Sequence, residues 1–239
     1  MIKRFLFLLI FISPLNAISQ KDVDTHSQLW LTAGYKFNVG ARSSLTFDGS
    51  LRTADFVSRW RQQIVRGVYV RSMNNKLKLG GGFTFSNAYS YQSPPAAAKE
   101  YRPFLHSEYS IKKWNFRGRW ETRFFENNND AFNRFRLQVK YSTLVGKTTK
   151  LYNTGKYISG EPVVTKKEIV KYSIILANET MYQSKKWDCF GYDQNRAYAG
   201  IRFEFEKNYA EAGYSLFYIR KSTQRYELDH VVMMSFYFQ

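Results

Sequence analysis

The segment RGRWETRFF, residues 117–125, places charged side chains at every second position. In a β-strand these side chains, Arg117, Arg119, Glu121 and Arg123, share one face, because successive residues point to opposite sides. A guanidinium group can bind a carboxylate or another oxyanion with two parallel hydrogen bonds. The pattern therefore predicts ion pairing or anion binding along one face of a strand.

The same alternation recurs in FRLQVKY, in RAYAGIRFEF and in the segment from residue 208 to residue 220. Each segment sets Arg, Lys or Glu on one side and aromatic or aliphatic residues on the other. We expect the charged sides to face one another inside the fold. The predicted charge network consists of Arg117, Arg119, Glu121, Arg123, Arg134, Arg136, Lys140, Glu108, Glu179, Arg196, Arg202, Glu204 and Glu211.

Three histidines bear on whether the chain could be an enzyme. His106 shares a strand face with Glu108, an arrangement that could orient a general base, although a hydrogen-bonded pair in the lumen is the favoured explanation. His26 lies near the start of the mature chain, and His230 is expected at a rim or interface. The sequence has no G-x-S-x-G segment, no Walker motif and no Cys or His pair at metal-ligand spacing. We predict no catalytic residue, no metal and no cofactor.

β-Strands are expected to hold these residues in place. Segments of about ten residues in which polar and apolar side chains alternate recur throughout the chain, and they predict such strands. They are rich in Tyr, Phe, Val and Thr and are separated by turn residues. The predicted strands cover residues 28–38, 42–52, 56–71, 76–87, 100–111, 114–125, 131–143, 168–181, 195–205, 208–220 and 227–238. Short turns alternate with long loops, which is typical of transmembrane β-barrels.

The N-terminus MIKRFLFLLIFISPLNAISQ has the features of a secretory signal peptide: two basic residues, an apolar run and small residues near a cleavage point. Cleavage after Ser19 gives a signal peptide of residues 1–19 and a single domain of residues 20–239, and cleavage after Ala17 is the alternative. The apolar run is too short for a membrane helix of about 20 residues. The chain is therefore expected to leave the cytoplasm.

Composition agrees with an exported basic protein. The formal charge of +17 falls to +15 when Lys3 and Arg4 leave with the signal peptide, and 18% of the residues are aromatic. The positive charge favours anionic partners, but export argues against nucleic acid. Cys189 is the single cysteine, so the chain cannot form an internal disulfide.

A soluble β-sandwich can show the same alternation, but repeated Arg with Glu is better suited to a crowded interior than to a solvent face. The sequence favours an all-β, antiparallel transmembrane β-barrel with a polar, charged lumen and lipid against the aromatic face. Such barrels usually have an even number of strands. Eleven strands are predicted above, so we expect 10 to 12 and prefer 12. A twelfth strand would lie in residues 144–167, or the first two predicted segments would be divided differently.

The mature chain resembles the proteins grouped as domain of unknown function 2490, which are presumed outer-membrane barrels. The likeness spans nearly all of residues 28–238 and lies in RGRWETRFF, NRFRLQVKY, LANETMY, NRAYAGIRFEF and LDHVVMMSFYF. It implies the fold and the location but no activity. The last segment also resembles the C-terminal aromatic signal that barrel-insertion machinery recognises, although Gln239 follows the aromatic residue.

Three functional hypotheses remain open at this point. The first is a narrow anion-preferring pore in the outer membrane of a Gram-negative bacterium, with small anionic solutes as the passing species and outer-membrane lipid around it. The second is a closed, charge-filled barrel that acts as a structural or loop-binding protein, with Tyr89, Tyr91, Trp187, Phe190 and Tyr192 in its long loops. The third is a membrane-embedded lipid-modifying enzyme, which the histidine environments disfavour.

Overall fold

Eleven β-strands make up almost all of the chain that the structure describes. The computed structural model describes residues 22–89, 97–126, 128–158, 161–185, 191–222 and 225–239, and the predicted signal peptide 1–19 lies outside them. The strands are β1 (Asp22–Gly40), β2 (Ser43–Ala54), β3 (Arg59–Ser72), β4 (Leu77–Tyr89), β5 (Ala97–Ile111), β6 (Trp114–Phe125), β7 (Asn128–Ile158), β8 (Glu161–Lys185), β9 (Gly191–Phe205), β10 (Asn208–Arg220) and β11 (Arg225–Phe238).

The strands form one closed barrel in which each strand pairs with its neighbours in sequence, and β1 closes the ring against β11. All neighbouring pairs are antiparallel except β1 with β11, which are parallel from Asp22 opposite Arg225 to Tyr35 opposite Phe238. The expected range of 10 to 12 strands is confirmed, but the preference for 12 and the wholly antiparallel barrel were wrong. An odd number of meandering strands points β1 and β11 in the same direction, so the ring can close only with a parallel pair.

The extra length that suggested a twelfth strand belongs to one hairpin. β7 has 31 residues and β8 has 25. They continue to pair beyond Tyr141, which stands opposite the first residue of β6, and beyond Val170, which stands opposite the last residue of β9. Residues 144–158 and 161–167 therefore extend β7 and β8 and do not form the additional strand that the sequence allowed there. This hairpin projects from the end of the barrel where the other connections are tight turns.

The two ends of the barrel differ as the loop lengths predict. Short connections join β1 to β2, β3 to β4, β5 to β6 and β9 to β10 at the end where β11 terminates, here called the turn end. The opposite end, called the loop end, carries the start of β1 and the longer connections from β4 to β5 and from β8 to β9, although only two residues join β6 to β7 there. Cys189 and the predicted loop aromatics Tyr91, Trp187 and Phe190 lie outside the described residues.

The connection between β2 and β3 corrects one predicted boundary. We expected a strand from residue 56, but β3 begins at Arg59. Asp55 and Phe56 have positive φ values of 49° and 64°, in the left-handed region that interrupts a strand. The chain turns there before it enters β3.

The alternation within each strand separates an inner face from an outer face. In β10, Ser215 and Phe217 are buried inside the barrel. Tyr214, the residue before Ser215, is 44% exposed on the outside. Large hydrophobic side chains are exposed on the outer face of every strand, with Leu105 on β5 the most exposed at 70%. The described residues contain no helix long and apolar enough to cross a membrane.

Glycines on the inner face make room for large interior side chains. A Cβ atom on Gly80 would lie 3.1 Å from Cε1 of His106, and one on Gly82 would lie 2.7 Å from Cζ of Phe104. The GGG segment at residues 80–82 is thus explained by close packing inside the barrel.

Candidate functional site

Two cavities occupy the interior of the barrel. The central cavity, of about 330 Å³, reaches from the middle of the barrel toward the turn end, where Tyr209 and Tyr237 line it. The mouth cavity, also about 330 Å³, lies toward the loop end and is lined by Gln28, Arg61 and Asp229 among others. Both cavities are formed by the inner faces of the strands. The inward-facing residues of each strand therefore determine the chemistry of the cavities.

The charged lining of the central cavity contains ten basic and four acidic side chains. The acids are Asp48, Glu121, Glu179 and Glu211. The basic residues are Arg52, Arg66, Arg102, Arg117, Arg119, Arg134, Arg136, Lys140, Arg196 and Arg202. Basic groups therefore exceed acidic groups by six in a space that fits only a small solute.

Arg136 is the centre of a buried ion-pair network on β6, β7 and β8. Its Nη1 lies 2.8 Å from Oε1 of Glu121, and its Nη2 lies 2.7 Å from Oε2 of Glu179. Arg117 adds a contact of 2.9 Å to Oε1 of Glu179, and Arg119 lies 3.4 Å from Oε1 of Glu121. Because isolated charges are costly to bury, these pairs hold the two carboxylates ionised and in place.

Two further pairs follow directly from strand register near the turn end. Glu211 stands opposite Arg202, whose Nη2 lies 2.7 Å from Oε2, and the hydroxyl of Tyr198 donates to Oε1 at 2.8 Å. Asp48 stands opposite Arg66, with Nη2 of Arg66 2.9 Å from Oδ2. In both cases one acid is matched to one arginine on the neighbouring strand.

Acidic residues also form ion pairs with arginines at the loop end. Glu100 pairs with Arg123 and, at 2.9 Å, with Arg102. Arg134 lies 3.2 Å from Oδ2 of Asp193. These contacts tie β5, β6, β7 and β9 together around the mouth cavity.

A second acidic group at this end lies on β11. Glu227 contacts Nζ of Lys221 at 2.5 Å and Nη2 of Arg61 at 3.2 Å. At the outer rim, the hydrogen bond from Nζ of Lys99 to Glu126 raises the pKa of Lys99.

Six residues line both cavities and so form the boundary between them. We call them the boundary residues: Trp30, Arg52, Arg102, Arg134, Arg196 and Phe217. Trp30 and Phe217 meet edge to face, with ring centres 4.9 Å apart, and pack with Val231 in a small apolar cluster. The guanidinium of Arg52 lies 3.5 Å from the centre of the Trp30 ring, a cation–π contact.

Ten of the thirteen predicted charge-network residues line the central cavity, and Arg123 lines the mouth cavity. Glu108 and Glu204 are half-buried near the turn end and line neither cavity. Lys140 lines the central cavity, and among the described residues no carboxylate oxygen lies within 4 Å of its ammonium group.

Sequence reasoning missed several residues of the site, including Asp48, Arg52, Arg66, Glu100 and Arg102. The sequence pattern could have revealed two of them, Asp48 and Arg52. LTFDGSLR places these two residues and Ser50 at alternate positions of a predicted strand, and so on one face. β2 and β5 each contain one arginine and so lack the repeated Arg pattern, whereas β3, which carries Arg66, contains four arginines but no Asp or Glu.

The histidines have surroundings that do not resemble a catalytic pair. His106 is buried inside the barrel, where its ring stacks on Phe104. Neither of its ring nitrogens has a hydrogen-bond partner among the described residues, so it is not paired with Glu108 there. His230 lies on the opposite face from Asp229 and contacts the hydroxyl of Tyr214 on the outside of the barrel. A base for nucleophilic catalysis requires a hydrogen bond to its nucleophile.

Comparison with known proteins gives one match. A family model described as Protein of unknown function (DUF2490) matches residues 27–164, from β1 to the first residues of β8. The matched part is more than half of the chain and includes RGRWETRFF and NRFRLQVKY, whereas LANETMY and the two later segments lie beyond it. No curated protein and no solved structure matches the chain.

Proposed function

The chain belongs to the family described as Protein of unknown function (DUF2490), and from this premise we propose that it is an outer-membrane β-barrel whose interior forms a narrow, anion-preferring passage. The observation that carries the proposal is the central cavity, with ten basic against four acidic side chains in its lining. Rings of Arg and Lys favour anions in pores, because an anion meets a positive potential along the path.

The outer surface supports a membrane location. Exposed aromatic and aliphatic side chains, such as Leu105, Phe116 and Leu137, lie on the outer faces all around the barrel. A water-soluble protein rarely exposes contiguous apolar patches larger than a few hundred Å². Lipid is the partner that such a surface suits best.

The dimensions of the strands agree with this location. β6 has 12 residues and β10 has 13, so each is about 40 Å long at ~3.3 Å per residue. A tilt of about 40° reduces that length to roughly 30 Å across the barrel, which is close to the thickness of a bilayer's hydrocarbon core.

Aromatic pairs near both ends of the barrel provide further support. Trp114 and Tyr141 lie together at the turn end, with ring centres 4.9 Å apart. Tyr218 and Tyr226 stack at the loop end, with ring centres 4.6 Å apart. Tyr and Trp are enriched at the two interfaces of membrane proteins.

Delivery to the outer membrane is the part of the proposal that rests on the sequence. The signal peptide of residues 1–19 would direct export, and the aromatic strand β11 would be read by barrel-insertion machinery. Phe236 and Phe238 are both about half exposed on the outer face of β11, where an insertion factor could contact them. The Gram-negative outer membrane is the location that combines these features.

The passage would run from the mouth cavity through the boundary residues to the central cavity. The mouth cavity is lined by eight basic side chains and by Asp193 and Asp229, so the excess of positive charge continues to the loop end. An anion entering at this end would meet the same sign of charge along the described interior.

A closed barrel is the second candidate, and the apolar boundary cluster favours it. Val231 is fully buried, and Trp30 and Phe217 are each more than nine-tenths buried between the two cavities. If these side chains do not move, the ion pairs fill the interior and the protein acts through its loops or as a structural element. In either case we infer that the protein is not an enzyme.

The first test is the reversal potential of the purified, refolded protein in a planar bilayer under a KCl gradient. Steady conductance with a chloride-selective reversal potential is expected. No conductance from protein whose heat-dependent gel mobility demonstrates a closed, inserted barrel would favour the filled interior. Cation selectivity would contradict the proposal outright.

A further inference from the structure

The geometry points to a binding site for one small oxyanion, of the phosphate or sulfate class, between the guanidinium groups of Arg52 and Arg196 at the boundary between the two cavities. This inference deepens the proposed function and rests on it in one respect: the anion reaches the site through the barrel interior. The other boundary arginines, Arg102 and Arg134, belong to the same layer but already have carboxylate partners at 2.9 and 3.2 Å.

Arg52 is a buried cation held by neutral groups. Its guanidinium lies over the Trp30 ring, and its Nη1 donates to Oε1 of Gln62 at 2.9 Å. Its Nε is buried without a hydrogen-bond partner, and no carboxylate oxygen lies within 4 Å among the described residues. Arg52 thus brings a guanidinium group with a free donor to the cavity boundary.

Arg196 approaches the same tryptophan from the opposite part of the barrel. Its Cζ lies 5.6 Å from the Trp30 ring centre and 4.4 Å from the centre of Phe217. Its nearest carboxylate contact among the described residues is with Glu179 at 3.8 Å, and Glu179 already binds Arg136 and Arg117 at shorter distances. The amide oxygen of Gln194, turned toward Arg196, accepts from Nε and Nη2 at 2.5 and 2.7 Å.

Two like charges around one aromatic ring need a counter-charge in a space shielded from water. The acids that line the mouth cavity with these two arginines already have other partners: Asp193 lies 3.2 Å from Arg134, and Asp229 accepts from Gln28 and lies 3.9 Å from Arg61. An anion bound at the boundary would supply the missing negative charge. The aromatic faces of Trp30 and Phe217 hold the two guanidinium planes. Gln62 and Gln194 occupy some of the N–H groups, which leaves Nε of Arg52 and Nη1 of Arg196 for the ligand.

The chemistry of the donors favours an oxyanion over a halide. A guanidinium presents parallel N–H groups that match two oxygens of one phosphate or sulfate, whereas chloride offers a single acceptor point. Each adjoining cavity measures about 330 Å³, at the lower limit of the range for drug-sized ligands. A small inorganic anion with its remaining water fits this space better than a nucleotide does.

Isothermal titration calorimetry of the refolded barrel in detergent with inorganic phosphate, sulfate or chloride tests the site without requiring conduction. We expect one phosphate or sulfate per barrel and at least tenfold weaker binding of chloride. Arg52→Gln and Arg196→Gln should each weaken phosphate binding at least tenfold. Arg59→Gln, which makes the same change at an exposed residue of the loop end, should bind phosphate like the parent protein.

Each variant is compared only after its heat-dependent gel mobility demonstrates a closed barrel, and Arg52→Lys replaces Arg52→Gln if the latter does not fold. Equal phosphate affinity in the Arg52, Arg196 and Arg59 variants would overturn the site. A barrel that conducts chloride selectively but binds no phosphate or sulfate would overturn the site and leave the proposed function standing. A barrel that binds phosphate but does not conduct would retain the site and overturn the passage.

Discussion

Arg136 and Glu179 form an ion pair between neighbouring strands inside the barrel, with Nη2 of Arg136 2.7 Å from Oε2 of Glu179 and side-chain exposures of only 12% and 5%. Arg136 also contacts Glu121, so one guanidinium bridges two buried carboxylates. The pair joins β7 to β8 at mid-height and stabilises the arrangement of charges around the central cavity.

Replacing Arg136 by Gln should destabilise the folded barrel by about 3–5 kcal/mol, because it leaves two carboxylates without their closest cation. The measurement is the free energy of unfolding in urea, followed by tryptophan fluorescence. Arg59→Gln, at an exposed pair, should change it by less than about 1 kcal/mol. If Arg136→Gln and Arg59→Gln unfold alike, the ion pair does not support the fold.

Gly82 stands where only a hydrogen atom fits. A Cβ there would come within 2.2 Å of the carbonyl oxygen of Gly67 and 2.7 Å of Phe104. Gly82→Ala should therefore cost about 1–3 kcal/mol through strain in the packed interior. Gly49→Ala is the matched control, since its Cβ would meet only Ile64 O at 3.9 Å.

The two glycine variants are compared by their urea midpoints and by the temperature at which heat-dependent gel mobility is lost. A Gly82→Ala protein as stable as Gly49→Ala would mean that Phe104 and β3 can move apart. That result would contradict the close packing of β3, β4 and β5.

Leu105 tests whether lipid covers the outer surface. It is 70% exposed on the outer face of β5, and an arginine there should cost about 2–4 kcal/mol if the position is near the bilayer midplane. The free energy of folding of Leu105→Arg into liposomes, measured by urea titration, should be less favourable than that of the parent protein by this amount. A water-exposed surface would accept the same change with little effect.

Val145→Arg is the paired control for that prediction. Val145 is 63% exposed on the part of β7 that extends beyond β6, outside the predicted lipid band. Its folding into liposomes should match that of the parent protein. If both arginine variants fold equally well, the apolar outer surface does not lie in a bilayer.

Lys140 offers a test of selectivity that leaves the ion-pair network intact. It lines the central cavity without a carboxylate in reach among the described residues. Lys140→Gln should reduce the chloride-to-potassium permeability ratio about two- to fivefold, since one unit charge at ~4 Å contributes about 1 kcal/mol in water-like surroundings. The ratio comes from the reversal potential in a KCl gradient.

Lys207→Gln removes the same charge at an exposed turn between β9 and β10, and it should leave the permeability ratio unchanged. Should the two lysine variants shift the reversal potential by the same amount, the selectivity would come from overall surface charge. The interior cavity would then have no special role in choosing anions.

The sequence by itself determined the strands and the two faces of each, because a period of two depends only on neighbouring residues. Arg119, Arg134 and Arg196 were predicted to point away from the aromatic side, and they line the central cavity.

Only the tertiary structure decided the number of strands, the parallel closure and the pairing of charges. The contacts between Gln28 and Asp229, and the meeting of Arg52 and Arg196 at Trp30, join residues that are far apart in the chain. Local patterning cannot specify such contacts, because they depend on which strand edges meet and in which register. Closing the ring of eleven strands sets that register for all of them at once, and with it the position of Arg52, which has no carboxylate oxygen within 4 Å among the described residues.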